Sequence, residues 1–166
     1  MMKLNLGCGF NHKDGFVNID KFEQNKPDLL FDLECGKPLP FPDNSVDEVY
    51  GSHIIEHIRN IDKLMFELWR ICKRGAKCLF ITPYATSDDA FESSGHVRYL
   101  NENSWMYFDK QVNTHIGYHG VEYDFRVVET VLVPYKEFLN DPEIEFKKKH
   151  LRNIIAEMRC TLEVTK

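Results

Sequence analysis

The chain has 166 residues, 43% hydrophobic and 28% charged, with a formal net charge of −5 when histidines are neutral. That length fits one domain, residues 1–166, with its own core, and the acidic balance argues against general nucleic-acid binding, which relies on basic surfaces. No apolar run approaches the ~20 residues that span a membrane, no signal peptide is visible, and five cysteines without a Cys-x-x-Cys spacing point to a reducing, cytoplasmic compartment.

Lys3–Leu6 reads as a first strand, followed by the glycine turn Gly7-Cys8-Gly9 and a second strand over Phe16–Asp20. Glycines let the backbone turn sharply and let a ligand approach where a Cβ would collide. Asp20, at the tip of the second strand, is placed to accept both hydroxyls of a ribose, as in nucleoside-binding α/β folds. The dinucleotide fingerprint G-x-G-x-x-G is not met, because position 12 is His12, which counts against an NAD-dependent oxidoreductase.

Asp28–Leu33 reads as a third strand, and a proline-rich turn follows over Pro38–Asn44. Val46–Ser52 is the fourth strand. Ile61–Lys73 places Ile61, Leu64, Met65, Leu68, Trp69 and Cys72 at helical spacing, with Lys73-Arg74-Gly75 as its stop signal. Ala76–Thr82 is the fifth strand, ended by Pro83, and residues 84–100 form a long loop. Asn103–Lys110 reads as a short helix, Phe125–Tyr135 as β-rich, Glu143–Glu157 as helix and Cys160–Thr165 as the last strand. Lys147-Lys148-Lys149-His150 with Arg152 reads as a solvated helix face. His115 and His119 share i, i+4 spacing, but Gly117 and Gly120 argue against a helix there.

Alternating strands and helices predict an α/β domain with a mostly parallel sheet. In such sheets ligands bind beyond the carboxyl ends of the strands. The glycine turn, Asp20, Asp32-Leu33 and Ser52-His53 all fall at such ends.

On these residues the chain resembles class I S-adenosylmethionine-dependent methyltransferases of a compact type. The matching pieces are Leu4–Gly9, Val17–Asp20, Asp32–Glu34, Leu39–Asp47, Ser52–His57, Leu68-Trp69-Arg70 and Lys73–Phe80, with Leu39–His57 the most specific. The resemblance implies a Rossmann-like seven-stranded sheet, mostly parallel with the last strand antiparallel, and helices on both faces. It implies that Gly7 and Gly9 pass close to the methionine part of S-adenosyl-L-methionine, with Cys8 packed nearby. Asp20 would hold the ribose, Asp32 and Leu33 the adenine, and Ser52 and His53 would border the methyl-transfer site. One departure is that only Phe10–Asp14 separate Gly9 from Gly15, so the usual helix after the glycine turn shrinks to about one turn.

The implied function is methyl transfer to an acceptor, with a small molecule favoured over nucleic acid. No N-P-P-Y tetrapeptide follows the fifth strand, where Thr82-Pro83-Tyr84 stand instead. Proximity and orientation carry most of such a rate. If the acceptor must lose a proton, His53 or His96 is positioned to take it. The loop carrying His96 and Arg98 reads either as a lid contacting substrate or as a solvated loop with a structural histidine. Trp69 and Trp105 read as core.

Two other readings stay open. One is a nonenzymatic module that binds cofactor or partner. The other is a zinc hydrolase, since His53-Ile54-Ile55-Glu56-His57 fits H-x-x-E-H. That motif needs a helix to put both imidazoles on one face, and His53 directly follows a strand, so no metal is assigned.

Overall fold

The computed structural model describes residues 1–115 and 122–166. Seven strands form one sheet: β1 (Lys3–Leu6), β2 (Val17–Asp20), β3 (Leu29–Leu30), β4 (Val46–Ser52), β5 (Cys72–Pro83), β6 (Phe125–Pro134) and β7 (Ile155–Val164). Their order is β3-β2-β1-β4-β5-β7-β6. β7 runs antiparallel to both its neighbours and the remaining pairs are parallel. The described α-helices are α1 (Ile61–Ile71), α2 (Lys110–His115) and α3 (Ile144–His150).

Residues in register share a face of the sheet, and successive residues alternate between faces. One face therefore carries Leu4, Leu6, Ile19, Val49, Cys78, Phe80, Cys160 and Leu162, all fully buried. Trp105, from a 3-10 turn over Glu102–Phe108, stacks on Phe80 at 5.3 Å between ring centroids. Leu64, Met65, Leu68 and Ile71 of α1 join the same core, and Asn60 caps that helix by accepting the Lys63 N–H. Burial on this face is the main stabilising term, at roughly 25 cal/mol per Å² of apolar surface.

The opposite face is polar. Lys3 pairs with Glu48, and Lys77 and Arg126 both pair with Glu163. Here the crossover from β1 to β2 is a loop. It is held by two buried asparagines: Asn5 donates to the Asn11 carbonyl and to Asn18 Oδ1, which also accepts the Lys13 N–H. Lys13 then lies 4.0 Å over the Tyr50 ring. A parallel crossover normally takes a dozen or more residues; side-chain hydrogen bonds replace the missing helix as its anchor.

Four expected segments differ. Lys73-Arg74-Gly75 does not stop a helix that reaches Lys73. α1 ends at Ile71, Cys72 is already extended, and β5 begins there. The register jumps from Val46↔Cys72 to Glu48↔Lys77, so residues 73–76 bulge from the ladder with Gly75 at φ 82°. Glu143–Glu157 is helical only over Ile144–His150, because β7 already begins at Ile155, where Ile155 pairs with Pro134 and Glu157 with Pro83 and Val133. The third strand keeps only Leu29–Leu30, since beyond Leu30 the Phe31 N–H still reaches the Asp20 carbonyl but no further ladder follows. Residues 102–108 are 3-10 rather than α. His115 ends α2, and His119 lies outside the described residues.

Candidate functional site

The carboxyl ends of β1, β2 and β4 surround a pocket of about 430 Å³. Pockets of ~300–1,000 Å³ are the size that takes small molecules and cofactors. Its apolar wall includes Phe22, Phe31, Leu33, Ile54 and Ile58, and its polar groups include Asp20 and Asp32. Of the residues singled out from sequence, Gly7, Gly9, Asp20, Asp32, Leu33 and His53 line it. Cys8 and Ser52 do not. Cys8 is 4% exposed in the core, and its thiol pKa is pushed up by burial first and by the Asp20 carboxylate second, so it is no nucleophile.

The two glycines do different work. Gly9 has φ +50° and open space where a Cβ would stand, so its missing side chain leaves room on the pocket side. Gly7 has φ +59°, and a Cβ there would lie 2.6 Å from Ile54 Cδ1. Its absence lets the segment after β4 close on the turn.

Asp20 is buried, and its carboxylate ties the turn to β2. Oδ2 accepts the Gly9 N–H at 2.8 Å and Oδ1 the Phe22 N–H at 2.9 Å. An ionised carboxylate has about four acceptor positions, so both oxygens keep capacity for ligand hydroxyls. Asp32 is exposed and accepts the Glu34 N–H. Carboxylates beside apolar walls at a glycine turn fit a nucleoside: the walls suit a planar base and the carboxylates suit hydroxyl and amino donors.

β4 ends abruptly. His53 has φ +52°, Ile54 leaves the strand direction, and Ile55–His57 form a single 3-10 turn. His53 and His57 therefore do not share a helical face, and the H-x-x-E-H reading as a zinc hydrolase loses its geometry. His53 is half exposed, with Nδ1 3.3 Å from Glu56 Oε1 and Nε2 3.5 Å from Glu157 Oε2. Its pKa is raised, chiefly by Glu56, against a smaller opposing effect of burial. A histidine held protonated is a poorer proton acceptor near neutral pH.

The long loop is tied down, not free. Arg98 donates to the carbonyls of Ile58 and Arg59 at 2.8 and 2.7 Å, so its guanidinium is spent on the main chain and not on substrate. Val97 N–H reaches the Glu56 carbonyl. His96 Nδ1 meets the Ala90 carbonyl at 3.0 Å, and its ring lies edge-on to His57 at 4.7 Å. His57, read from sequence only as a candidate zinc ligand, and Ile54, read only as part of a matching motif, also line the pocket, and Asn5 and Asn18, which the sequence reading passed over, hold the turn. The buried asparagines leave a signal: two polar residues at inward positions of adjacent short strands.

Residues 4–80 match the family model described as a methyltransferase domain. A sterol 4-C-methyltransferase of Caenorhabditis elegans is 31% identical over 68 residues, 41% of this chain but a fifth of that relative's length. Among solved structures, a SAM-dependent methyltransferase of Archaeoglobus fulgidus superposes with TM-score 0.64 at 15% identity, covering 98% of this chain and 85% of that one. One from Mesorhizobium loti gives 0.61 at 13%, covering 98% and 90%. The cyclase SpnF gives 0.62 at 11%, covering 99% and 75%. At such identities the likeness is one of fold. Residues 4–80 thus match a methyltransferase domain, and the chain shares the fold of solved S-adenosylmethionine-dependent methyltransferases.

Proposed function

We propose that the protein transfers a methyl group from S-adenosylmethionine to a small-molecule acceptor, with residues 1–166 acting as one unit. The observation that carries this reading is the Asp20–Gly9 hydrogen bond at 2.8 Å inside a nucleoside-sized pocket at the strand ends. When bound, the cofactor supplies a methyl group already activated on a sulfonium. The protein's task is then to bind, orient and exclude water. Asp20 would take the ribose hydroxyls with the lone pairs left by Gly9 and Phe22. Asp32 and Leu33 would meet the adenine, and the open side of Gly9 would admit the methionine portion. His53 and Ile54 would border the acceptor. The net charge of −5 supports a small acceptor over a nucleic acid.

Calorimetric titration with S-adenosylhomocysteine tests this. Saturable binding is expected, and Asp20→Ala should weaken it by roughly tenfold to a hundredfold, from charge-assisted hydrogen bonds of ~1.5–3 kcal/mol. Unchanged affinity in a folded Asp20→Ala protein removes the role of Asp20. No binding by folded wild type removes the cofactor reading. The SpnF likeness favours a second reading, in which the same fold carries another reaction. Cofactor binding without methyl transfer to any member of a broad acceptor panel would favour it.

A further inference from the structure

Glu56 is 1% exposed, and neither carboxylate oxygen has a hydrogen-bond partner among the described residues. His53 stands 3.3 Å away but is not aligned to donate. A buried carboxylate left this way is costly, by several kcal/mol in a low-dielectric interior. A protonated His53 offsets that cost only in part, and two further imidazoles face the same carboxylate. One ligand atom from each of Glu56, His57 and His96 lies within 4.8 Å of the other two.

The two imidazoles are already set up for a cation. His57 Nδ1 lies 3.0 Å from the Gly95 carbonyl, and His96 Nδ1 lies 3.0 Å from the Ala90 carbonyl. A carbonyl only accepts, so each Nδ1 carries the proton and each Nε2 keeps its lone pair. Backbone carbonyls that fix the tautomer and orientation of a histidine are the usual outer support of metal-binding imidazoles.

We propose that Glu56, His57 and His96 bind one divalent first-row transition-metal ion at the edge of the cofactor pocket. Two nitrogens and one carboxylate suit zinc, iron or cobalt rather than calcium or magnesium, which take oxygen donors. Bonds of ~2.0–2.2 Å place neighbouring ligands about 3–3.5 Å apart, so binding draws the side-chain tips together by about an ångström. The ion also neutralises Glu56. His57 belongs to both the cluster and the pocket wall. Three protein ligands leave a coordination position for a donor atom of the acceptor, an oxygen or nitrogen ligand. That last step rests on the methyl-transfer reading above; the metal site does not.

The test uses the full chain, stripped with a chelator and titrated with Co²⁺ by visible absorption and with Zn²⁺ by calorimetry. One equivalent of each is expected, with Zn²⁺ displacing the Co²⁺ spectrum. Glu56→Gln and His96→Ala should each weaken Zn²⁺ binding by more than the ~10–100-fold that loss of an outer hydrogen-bond partner brings. Substoichiometric uptake by wild type overturns the site. So does wild-type Zn²⁺ affinity in both variants, which would mark adventitious binding by other histidines. Glu56→Gln alone decides the matter if His96→Ala folds poorly, because it keeps the side-chain shape. The same stripped protein is titrated with S-adenosylhomocysteine. Binding of it without Co²⁺ uptake overturns the metal site alone, and Co²⁺ uptake without it supports the site while withdrawing the cofactor reading.

Discussion

Gly7 and Gly9 stand two residues apart in one turn, yet the same substitution should fail differently at each. Both have positive φ, where a Cβ costs roughly 1–2 kcal/mol. At Gly7 the Cβ also meets Ile54 at 2.6 Å, inside a packed region. Gly7→Ala should therefore destabilise the fold by more than Gly9→Ala, by an additional ~1–3 kcal/mol of overpacking. Gly9→Ala points its Cβ into open pocket and should lose cofactor affinity out of proportion to its loss of stability. Denaturant midpoints beside S-adenosylhomocysteine titrations separate the two. Equal stability loss at both positions would contradict the Ile54 contact. The glycines are legible in the sequence; their different reasons are not, because Ile54 is distant in the chain and meets Gly7 only once β1 and β4 pair.

At the scale of elements, the proline-rich turn before β4 is held by α1. Arg70 donates to the carbonyls of Leu39 and Phe41 and pairs with Asp43 and Glu67, while Glu67 accepts the Leu39 N–H at 2.7 Å. The sequence singled out both segments by resemblance, and the structure shows why they belong together: one guanidinium fixes the chain that feeds the central strand. Arg70→Ala should cost about 2–3 kcal/mol, since it strands partly buried charged and carbonyl partners; thermal or chemical unfolding reads this directly. Glu67 is held below its ordinary carboxyl pKa of 4.5, chiefly by Arg70. A depressed folded-state value means its contribution is fully present above the unfolded pKa and is lost as pH falls through the folded one. The stability gap between wild type and Glu67→Gln should thus be constant near neutrality and narrow below about pH 4.5. A gap unchanged into strong acid would mean that Glu67 is not ionised in the pair.

Across the whole molecule, stability should follow the sheet order. β2, β1, β4, β5 and β7 lie inside the sheet and carry the fully buried face, whereas β3 is a two-residue edge and β6 closes the other side. Hydrogen exchange should be slowest at Val49, Cys78, Phe80 and Cys160 and fastest at Leu29–Leu30. Equal protection at Leu29–Leu30 and Val49 would require cover on the β3 edge that the structure does not contain among its described residues. None of the described helices is long and apolar enough to cross a membrane.

What the sequence determined by itself was local: short strands ended by glycine, aspartate and proline, one amphipathic helix, and the family pattern over Leu4–Phe80. These follow from backbone freedom and apolar period, which need only neighbours along the chain. It misjudged the segments where two periods compete, as at Cys72 and at Ile155, because sheet pairing outweighs local helix preference. Only the tertiary structure decided which polar residues meet. It spent Arg98 on carbonyls, turned His53 away from His57, and brought His96 across to Glu56 and His57 from forty residues away in the chain. Hydrogen bonds and ligand clusters are properties of positions in space, and a linear pattern fixes those only where the chain is short and the element regular.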